Sequence, residues 1–132
     1  MTNNVNLTMK ILVTGGTGFI GTNLVNELKT RGHEVWICDL LNYNQENYIR
    51  CDVSKFRQLE KIFDSHKFDF VYHLAAEYGR WNGEDYYENL WNTNVIGTKN
   101  MLRIQEKHKF KMIAFSSSEV YGDYQGVMSE NV

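Results

Sequence analysis

The stretch TGGTGFIG (14–21) follows a short apolar run, KILVT (10–14), and opens a segment whose apolar residues recur at helical spacing. Its glycines form a GxxGxxG pattern, in which Gly15 permits a tight turn and Gly18 lets the backbone approach a phosphate. Gly21 then lets the helix pack closely on a strand. A glycine-rich turn without a ligand is the alternative, but the strand–turn–helix context favours a phosphate cradle at the amino end of the helix.

Outward from this turn, short apolar runs alternate with segments of helical periodicity. The crossovers between the runs are long enough to hold helices, which requires mostly parallel strands with right-handed connections. The sequence therefore predicts an α/β fold with a Rossmann-type, doubly wound, mostly parallel sheet. We expect strands at 10–14, 33–40, 48–53, 69–76 and 111–117, and helices at 19–31, 55–67 (capped by Ser54) and 87–108.

Length and composition fit one globular domain. The chain has 132 residues, of which 42% are hydrophobic and 23% charged. We expect a flexible polar leader over residues 1–9 and a single domain over 10–132. Fourteen Lys and Arg against sixteen Asp and Glu leave a net charge of −2, which gives no electrostatic case for nucleic acid or an anionic membrane. The sequence also lacks the run of ~18 apolar residues that a membrane span needs.

Cysteine and histidine are too sparse to suggest a disulfide scaffold or a metal site. The two cysteines, Cys38 and Cys51, are most simply read as small buried side chains, with a redox pair as the less favoured alternative. Because the amino terminus also lacks a secretory signal, we expect a reducing, cytoplasmic setting. The four histidines show no metal-ligand spacing with Cys or carboxylates, so we expect no metal.

Two aspartates end neighbouring predicted strands. Asp39 follows Gly21 by the roughly 20 residues at which a dinucleotide-binding fold places a ribose-binding carboxylate. It would repel a 2′-phosphate, which favours NAD over NADP. Asp52 is placed to accept a hydrogen bond from the adenine amino group while Val53 packs on the ring. The alternatives are a solvated acidic residue at position 39 and a helix-capping neighbour at position 52.

Several linked motifs resemble those of the extended short-chain dehydrogenases/reductases, the NAD-dependent nucleotide-sugar epimerases, dehydratases and decarboxylases. The resemblance covers residues 10–122, nearly the whole chain. It implies NAD as cofactor and a nucleotide sugar as substrate. The motifs are TGGTGFIG (14–21), Asp39, Asp52-Val53, HLAA (73–76), NTNVIGTKN (92–100) and SSSEVYG (116–122).

The resemblance also implies roles for individual residues at the cofactor. Asn94 would support the active-site region, although a buried polar residue bonded to neighbouring backbone is the alternative. Ser116 would lie near the nicotinamide amide, and residues 74–76 would form the wall beside the nicotinamide. The expected cofactor-binding set is Gly15, Gly18, Phe19, Ile20, Gly21, Asp39, Asp52, Val53, Leu74, Ala75, Ala76, Asn94 and Ser116.

The segment 116–122 would supply catalytic residues. By resemblance, Ser117 hydrogen-bonds the 4-hydroxyl of the sugar, and Glu119 acts as a base or positions the substrate, as in dehydratases and decarboxylases. Ser118 stands where dehydratases usually carry aspartic acid, which weakens the dehydratase interpretation. A serine-rich turn after a strand is the alternative for this segment.

One departure from the family pattern limits the expected activity. The family's base is a Tyr-x-x-x-Lys pair on the next helix, in which lysine lowers the pKa of the tyrosine. No such pair follows Ser117, since Tyr121 precedes Gln125 and Tyr124 precedes Met128 at that spacing.

We therefore expect the incomplete, N-terminal NAD-binding portion of an enzyme that transiently oxidises a sugar at C4, truncated before the catalytic helix and the substrate domain. The alternative is a non-catalytic dinucleotide-binding or sensor module. The helix at 87–108 carries two apolar rows, 91/95/98/102 and 90/97/101/104, which indicates cover by the sheet and by a partner. We expect the complete enzyme to be a homodimer through this helix.

Overall fold

The structure, a computed structural model, describes residues 7–78 and 87–130. Most of the predicted leader (1–9) and of the predicted loop (77–86) lies outside the described residues. At the start of the described chain, the Met9 amide donates to His33 Nδ1 (3.3 Å), and the Glu34 amide donates to the Met9 carbonyl (3.0 Å). These two bonds attach the last leader residue to the beginning of a strand.

Five parallel strands form one sheet in the order β3-β2-β1-β4-β5. The predicted α/β, doubly wound fold is confirmed, and every strand pair described is parallel. The first strand has its predicted bounds, and the other four are shorter than predicted, mainly because residues at their carboxyl ends turn out of the sheet into loops. Their bounds are β1 Lys10–Thr14, β2 Glu34–Asp39, β3 Tyr48–Arg50, β4 Phe70–His73 and β5 Lys111–Ala114.

The helices begin and end close to the predicted positions, with one change of type. The predicted helix 87–108 is continuous in backbone direction but contains a π-helical segment, Trp91–Gly97, between two α-helical parts. Left-handed residues follow two helices, Gly32 (φ 85°) and Lys109 (φ 58°). The elements are α1 Phe19–Thr30, α2 Phe56–Ser65, α3 Tyr87–Leu90, the π-helical segment, α4 Thr98–His108 and a 3₁₀ turn Ser118–Tyr121.

The prediction that Ser54 caps the second helix is wrong. The residue at the cap position of α2 is Lys55, and it makes no side-chain cap hydrogen bond. Asp52 shapes this entry instead, because its Oδ1 accepts from the Ser54 amide (2.9 Å) and its carbonyl accepts from the Lys55 amide (2.9 Å). The alternative role considered for Asp52, beside a helix cap, is therefore present in the structure.

Each face of the sheet has its own apolar cluster. Under α1 the cluster joins β1 and β2 and contains Ile11, Val13, Val25, Leu28, Val35 and Ile37. On the opposite face, α2 and α4 cover a larger cluster that includes Leu12, Leu59, Phe63, Val71, Met101 and Ile104. Because α1 and α2 lie on opposite faces of the sheet, the connections wind in opposite senses on the two sides of the β1–β4 pair. This topological switch opens a crevice at the carboxyl ends of β1 and β4.

The two apolar rows of the long helical region have different surroundings. Met101 and Ile104 are fully buried against the sheet, whereas Val95 and Leu102 are 41% and 52% exposed. Gly97 allows the close packing, since a Cβ there would lie 2.7 Å from Val53 Cγ2. The sheet therefore covers one predicted row and leaves the other at the surface of the described chain.

Candidate functional site

The glycine turn lies directly against the end of β4. Gly15 has φ 69°, and a Cβ on it would lie 2.8 Å from the Ala75 backbone nitrogen. Its amide donates to the Cys38 carbonyl at the end of β2 (2.8 Å). On the other side, a Cβ on Gly21 would collide with the Gly15 carbonyl oxygen. Gly15 and Gly21 are therefore glycines because protein backbone occupies the space of a side chain.

Gly18 differs from the other two glycines because a Cβ on it would make one tight contact and no collision below 3.0 Å. It has an ordinary extended backbone (φ −71°, ψ 177°), and a Cβ there would meet only the Gly15 carbonyl oxygen within 4 Å, at 3.2 Å. Gly18 also occupies the cap position of α1, where no side chain caps the helix and no acidic residue lies in the first turn. The first amides of α1 and the helix dipole are thus available to an anion.

Asp39 is fixed by three hydrogen bonds at the end of β2. Its Oδ2 accepts from the Thr17 amide (3.0 Å) and the Thr17 hydroxyl (2.6 Å), and its Oδ1 accepts from the Leu40 amide (2.8 Å). The carboxylate therefore links the second strand to the glycine turn. Asp39 is half-buried, and its role towards a ribose stays a prediction.

Val53 and Asp52 lie beyond β3 and are positioned by the helices on the same face. The buried Asn100 side chain donates to the carbonyls of Val53 and Ser54, both at 3.0 Å. Gln58 accepts from the Asp52 amide (2.8 Å). A buried apolar side chain and a half-buried carboxylate are thereby held side by side at the edge of the crevice.

The wall at residues 74–76 is tied to β1 by a buried polar chain. Thr14 Oγ1 accepts from the Ala75 amide (3.2 Å) and lies 2.8 Å from His73 Nδ1. His73 Nε2 lies 3.3 Å from Thr98 Oγ1 on α4. His73 is 4% exposed, and its burial lowers its pKa to about 4, so the ring is neutral at pH 7.

Asn94 lies in the π-helical segment and holds the chain that follows the wall. Its Oδ1 accepts from the Glu77 amide (2.8 Å), and its Nδ2 donates to the Glu77 carbonyl (3.0 Å). The side-chain amide of Asn94 therefore bonds to both the N–H and the carbonyl group of Glu77. This arrangement is the bonding to neighbouring backbone that the alternative describes, and the support role that the resemblance implied stays a prediction.

One cleft at the carboxyl edge gathers most of the predicted cofactor-binding residues. Gly15, Gly18, Asp39, Asp52, Val53, Leu74, Ala75 and Ala76 line it. Of the remaining five, Gly21 packs inside the turn, Phe19 and Ile20 are exposed at the start of α1, Asn94 binds Glu77, and Ser116 follows β5. Other residues that line the cleft had no individual role in the sequence prediction, namely Thr17, Leu40, Glu77 and Thr93.

Ser117 and Glu119 lie outside this cleft, in the exposed segment after β5. The Ser117 hydroxyl oxygen accepts from the Glu119 amide (3.2 Å) and so begins the 3₁₀ turn. The turn brings the two predicted catalytic residues close together in the chain. Their roles remain predictions.

The two cysteines lie at the base of the cleft and are nearly fully buried. The pKa of Cys38 is raised well above its ordinary value by its hydrogen bond with Cys51, by burial and by the nearby charges of Asp39 and Asp52. Because thiolates are the reactive form of cysteine, this environment favours the small buried side chains over the redox pair.

A family model described as the NAD dependent epimerase/dehydratase family matches residues 11–132. The chain belongs to the NAD-dependent epimerase/dehydratase family. The matched range contains the glycine turn, both aspartates, the wall and the segment after β5. It therefore includes every predicted site residue.

Relatives within this family include enzymes of nucleotide-sugar metabolism. A UDP-N-acetyl-alpha-D-glucosaminuronate decarboxylase of Bacillus cytotoxicus is 35% identical over 132 residues, 92% of this chain and 40% of its own. A UDP-glucose 4-epimerase of Halalkalibacterium halodurans is 36% identical over 128 residues, 87% of this chain and 36% of its own. This chain thus spans about 40% of the length of these curated relatives.

Among solved structures, the Bordetella bronchiseptica enzyme WbmG in complex with NAD superposes with a TM-score of 0.81. It is 29% identical, and the match covers 96% of this chain and 43% of that enzyme. The whole described fold therefore corresponds to under half of a larger protein of known structure.

The described residues also bear on two kinds of partner, metal ions and membranes. Across 7–78 and 87–130, no three His, Cys, Asp or Glu side chains come together as a candidate metal site. None of the helices in the same ranges has the length and apolar character of a membrane span.

His73 gives a pH-dependent stability prediction. Its pKa is lowered from 6.5 in the unfolded chain to about 4, so its contribution is complete above pH 6.5 and is lost as pH falls towards 4. We expect the difference in unfolding free energy between the wild type and His73→Gln to shrink by about 2 kcal/mol between pH 7 and pH 4.5. Urea unfolding at both pH values measures it.

Thr98→Val is the matched control, because it removes a hydrogen-bond partner of the ring but keeps the imidazole. Its stability should follow the pH dependence of the wild type. An equal gap between the wild type and His73→Gln at both pH values would contradict the assignment of a neutral, buried His73.

Proposed function

We propose that this chain is the NAD-binding portion of a nucleotide-sugar epimerase, dehydratase or decarboxylase that acts by transient oxidation at the sugar C4. The observation that carries the proposal is the cleft in which the glycine turn, Asp39, Asp52-Val53 and residues 74–76 meet. Family membership supports NAD as the cofactor, and the decarboxylase and epimerase relatives support a nucleotide sugar as the substrate.

The turn fits the pyrophosphate of a dinucleotide. Gly18 leaves open the space that a Cβ would fill, and α1 begins there without a capping side chain. Phe19 and Ile20 are the first residues of the helix, so their amides have no carbonyl one turn earlier in α1. These donors and the helix dipole would hold the phosphates, and the exposed side chains of both residues leave the amides accessible.

The adenosine end fits the opposite side of the cleft. Asp39 faces the cleft as a carboxylate held beside the glycine turn, which suits a ribose hydroxyl and opposes a 2′-phosphate. Asp52 Oδ1 is used by the Ser54 amide, which leaves Oδ2 for the adenine amino group. Val53 accepts from Asn100 through its carbonyl and packs against Gly97, and the adenine ring would pack on its side chain.

The nicotinamide end would lie along residues 74–76, with Ser116 near the carboxamide. Bound NAD supplies a hydride acceptor for the sugar C4. Ser117 would donate a hydrogen bond to the 4-hydroxyl and Glu119 would position the sugar. Neither a serine hydroxyl nor a carboxylate is a strong base towards an alcohol, so the oxidation needs a base of the Tyr/Lys type.

The exposed row of the long helical region supports a homodimer in the complete enzyme. Val95 and Leu102 are exposed apolar side chains on a surface that also includes Thr98 and the aliphatic parts of Lys99 and Arg103. An apolar stripe of this kind is buried efficiently by a second helix. A cytoplasmic location for the enzyme is part of the same proposal and is supported by the free, buried cysteines.

Gly18→Val tests the phosphate cradle. The branched side chain would enter the space assigned to the pyrophosphate while meeting little protein, so we expect NAD binding to fall by at least about tenfold with native circular dichroism. Isothermal titration calorimetry measures the affinity. Gly21→Val is the contrasting variant, because its side chain would collide with the Gly15 backbone and should disrupt folding. Native NAD affinity in a folded Gly18→Val chain would refute the cradle.

Asp39→Ala tests the choice between dinucleotides. We expect the wild type to bind NAD more tightly than NADP, because the carboxylate faces the 2′ position. The variant should narrow that difference by weakening NAD and by removing the repulsion from NADP. The same calorimetric titrations with both dinucleotides measure it, and equal affinities in the wild type would remove Asp39 from this role.

We expect the 132-residue chain to have no turnover by itself. General-base catalysis contributes roughly 100- to 10,000-fold, and substrate positioning by a separate domain contributes more. The assay is incubation of the purified chain with NAD and a panel of UDP- and dTDP-sugars, with NADH absorbance and sugar products followed over time. Conversion in proportion to protein concentration would show that a base other than the family's tyrosine operates.

A further inference from the structure

Thr17 makes a short polar contact in the cleft. Its hydroxyl donates to Asp39 Oδ2 at 2.6 Å, within the range of a hydrogen bond strengthened by a negative charge. The Thr17 amide donates to the same oxygen at 3.0 Å, so the residue holds one side of the carboxylate at two points. Thr17 and Asp39 both line the cleft.

These contacts leave the carboxylate only partly available to a ligand. A carboxylate offers about four acceptor positions, two on each oxygen. Thr17 fills both positions on Oδ2, and the Leu40 amide fills one position on Oδ1. Within the described residues, one position on Oδ1 therefore remains. With one open position, Asp39 can accept from one hydroxyl of a ribose while its bonds to Thr17 are kept, and the second hydroxyl needs another acceptor.

The second acceptor is then Thr17 itself. A threonine hydroxyl has one hydrogen, here given to Asp39, and two lone pairs. No described residue donates to Thr17 Oγ1, so its lone pairs are available beside the open position on Asp39. The two acceptors are joined by a 2.6 Å hydrogen bond and face one cleft.

We propose that Thr17 determines dinucleotide specificity together with Asp39, with Thr17 Oγ1 and Asp39 Oδ1 each accepting from one hydroxyl of the adenosine ribose. This inference rests on the proposed NAD site. A 2′-phosphate would bring further acceptors and a negative charge against both oxygens and would have no hydrogen to give at that position. Removing the Thr17 hydroxyl deletes one acceptor and one of the two hydrogen bonds to Asp39 Oδ2, so the carboxylate is held less firmly.

The test compares Thr17→Val, which keeps the shape without the hydroxyl, with Thr17→Ser, which keeps the hydroxyl. Calorimetric titration with NAD and with NADP gives the ratio of their affinities. We expect Thr17→Val to lose about tenfold in NAD affinity and to lower the NAD/NADP ratio by about the same factor. Thr17→Ser should keep the NAD affinity and the NAD/NADP ratio within about twofold of the wild-type values. Thr17→Ala replaces Thr17→Val if circular dichroism shows the valine variant to be unfolded.

A double-mutant cycle separates a direct contact of Thr17 with the ribose from a role that acts only through Asp39. In an Asp39→Ala background, Thr17→Val should still lower NAD affinity, because Thr17 Oγ1 itself accepts from a ribose hydroxyl. An unchanged NAD/NADP ratio in Thr17→Val, or no further loss of NAD affinity in the Asp39→Ala background, would overturn this inference while NAD binding by the wild type stands. A wild type that binds neither dinucleotide would overturn the proposed function and this inference together.

Discussion

The close backbone approach of Gly15 to Ala75 is the constraint on which the cleft depends. It brings the turn after β1 against the end of β4, the point at which the sheet's connections change direction. Thr14 strengthens the same junction, since its hydroxyl oxygen accepts from the Ala75 amide and contacts His73. A side chain at position 15 would separate these two elements and with them the two sides of the proposed cofactor site.

Polar side chains then fix the other edges of the cleft, each from a different element. Asp39 ties β2 to the glycine turn, Asn100 ties α4 to the backbone at Val53, and Asn94 ties the π-helical segment to Glu77. All three side chains bond to short segments that follow strands. The regular core determines where strands end, and these bonds determine the shape of the loops beyond them.

The fold was predictable because it depends on periodicity and on glycine, both of which are visible locally in the sequence. Asp39 could be placed by its distance from Gly21, but its bonds to Thr17 could not, because that contact joins two loops that only the folded sheet brings together. The Ser54 cap failed for a local reason, since Asp52 accepts from the Ser54 amide at the entry to α2. The π-helical segment was not predicted either, because one extra residue per turn hardly disturbs a row of apolar residues.

Whether NAD binds in this cleft is tested most directly by a two-dimensional NMR titration of the ¹⁵N-labelled chain. We expect amide shifts to concentrate at residues of the glycine turn, at Leu40 and Val53, and along residues 74–76, with little change on the outer surface of α2. Shifts confined to the exposed row at Val95 and Leu102, or no shifts at millimolar NAD, would contradict it.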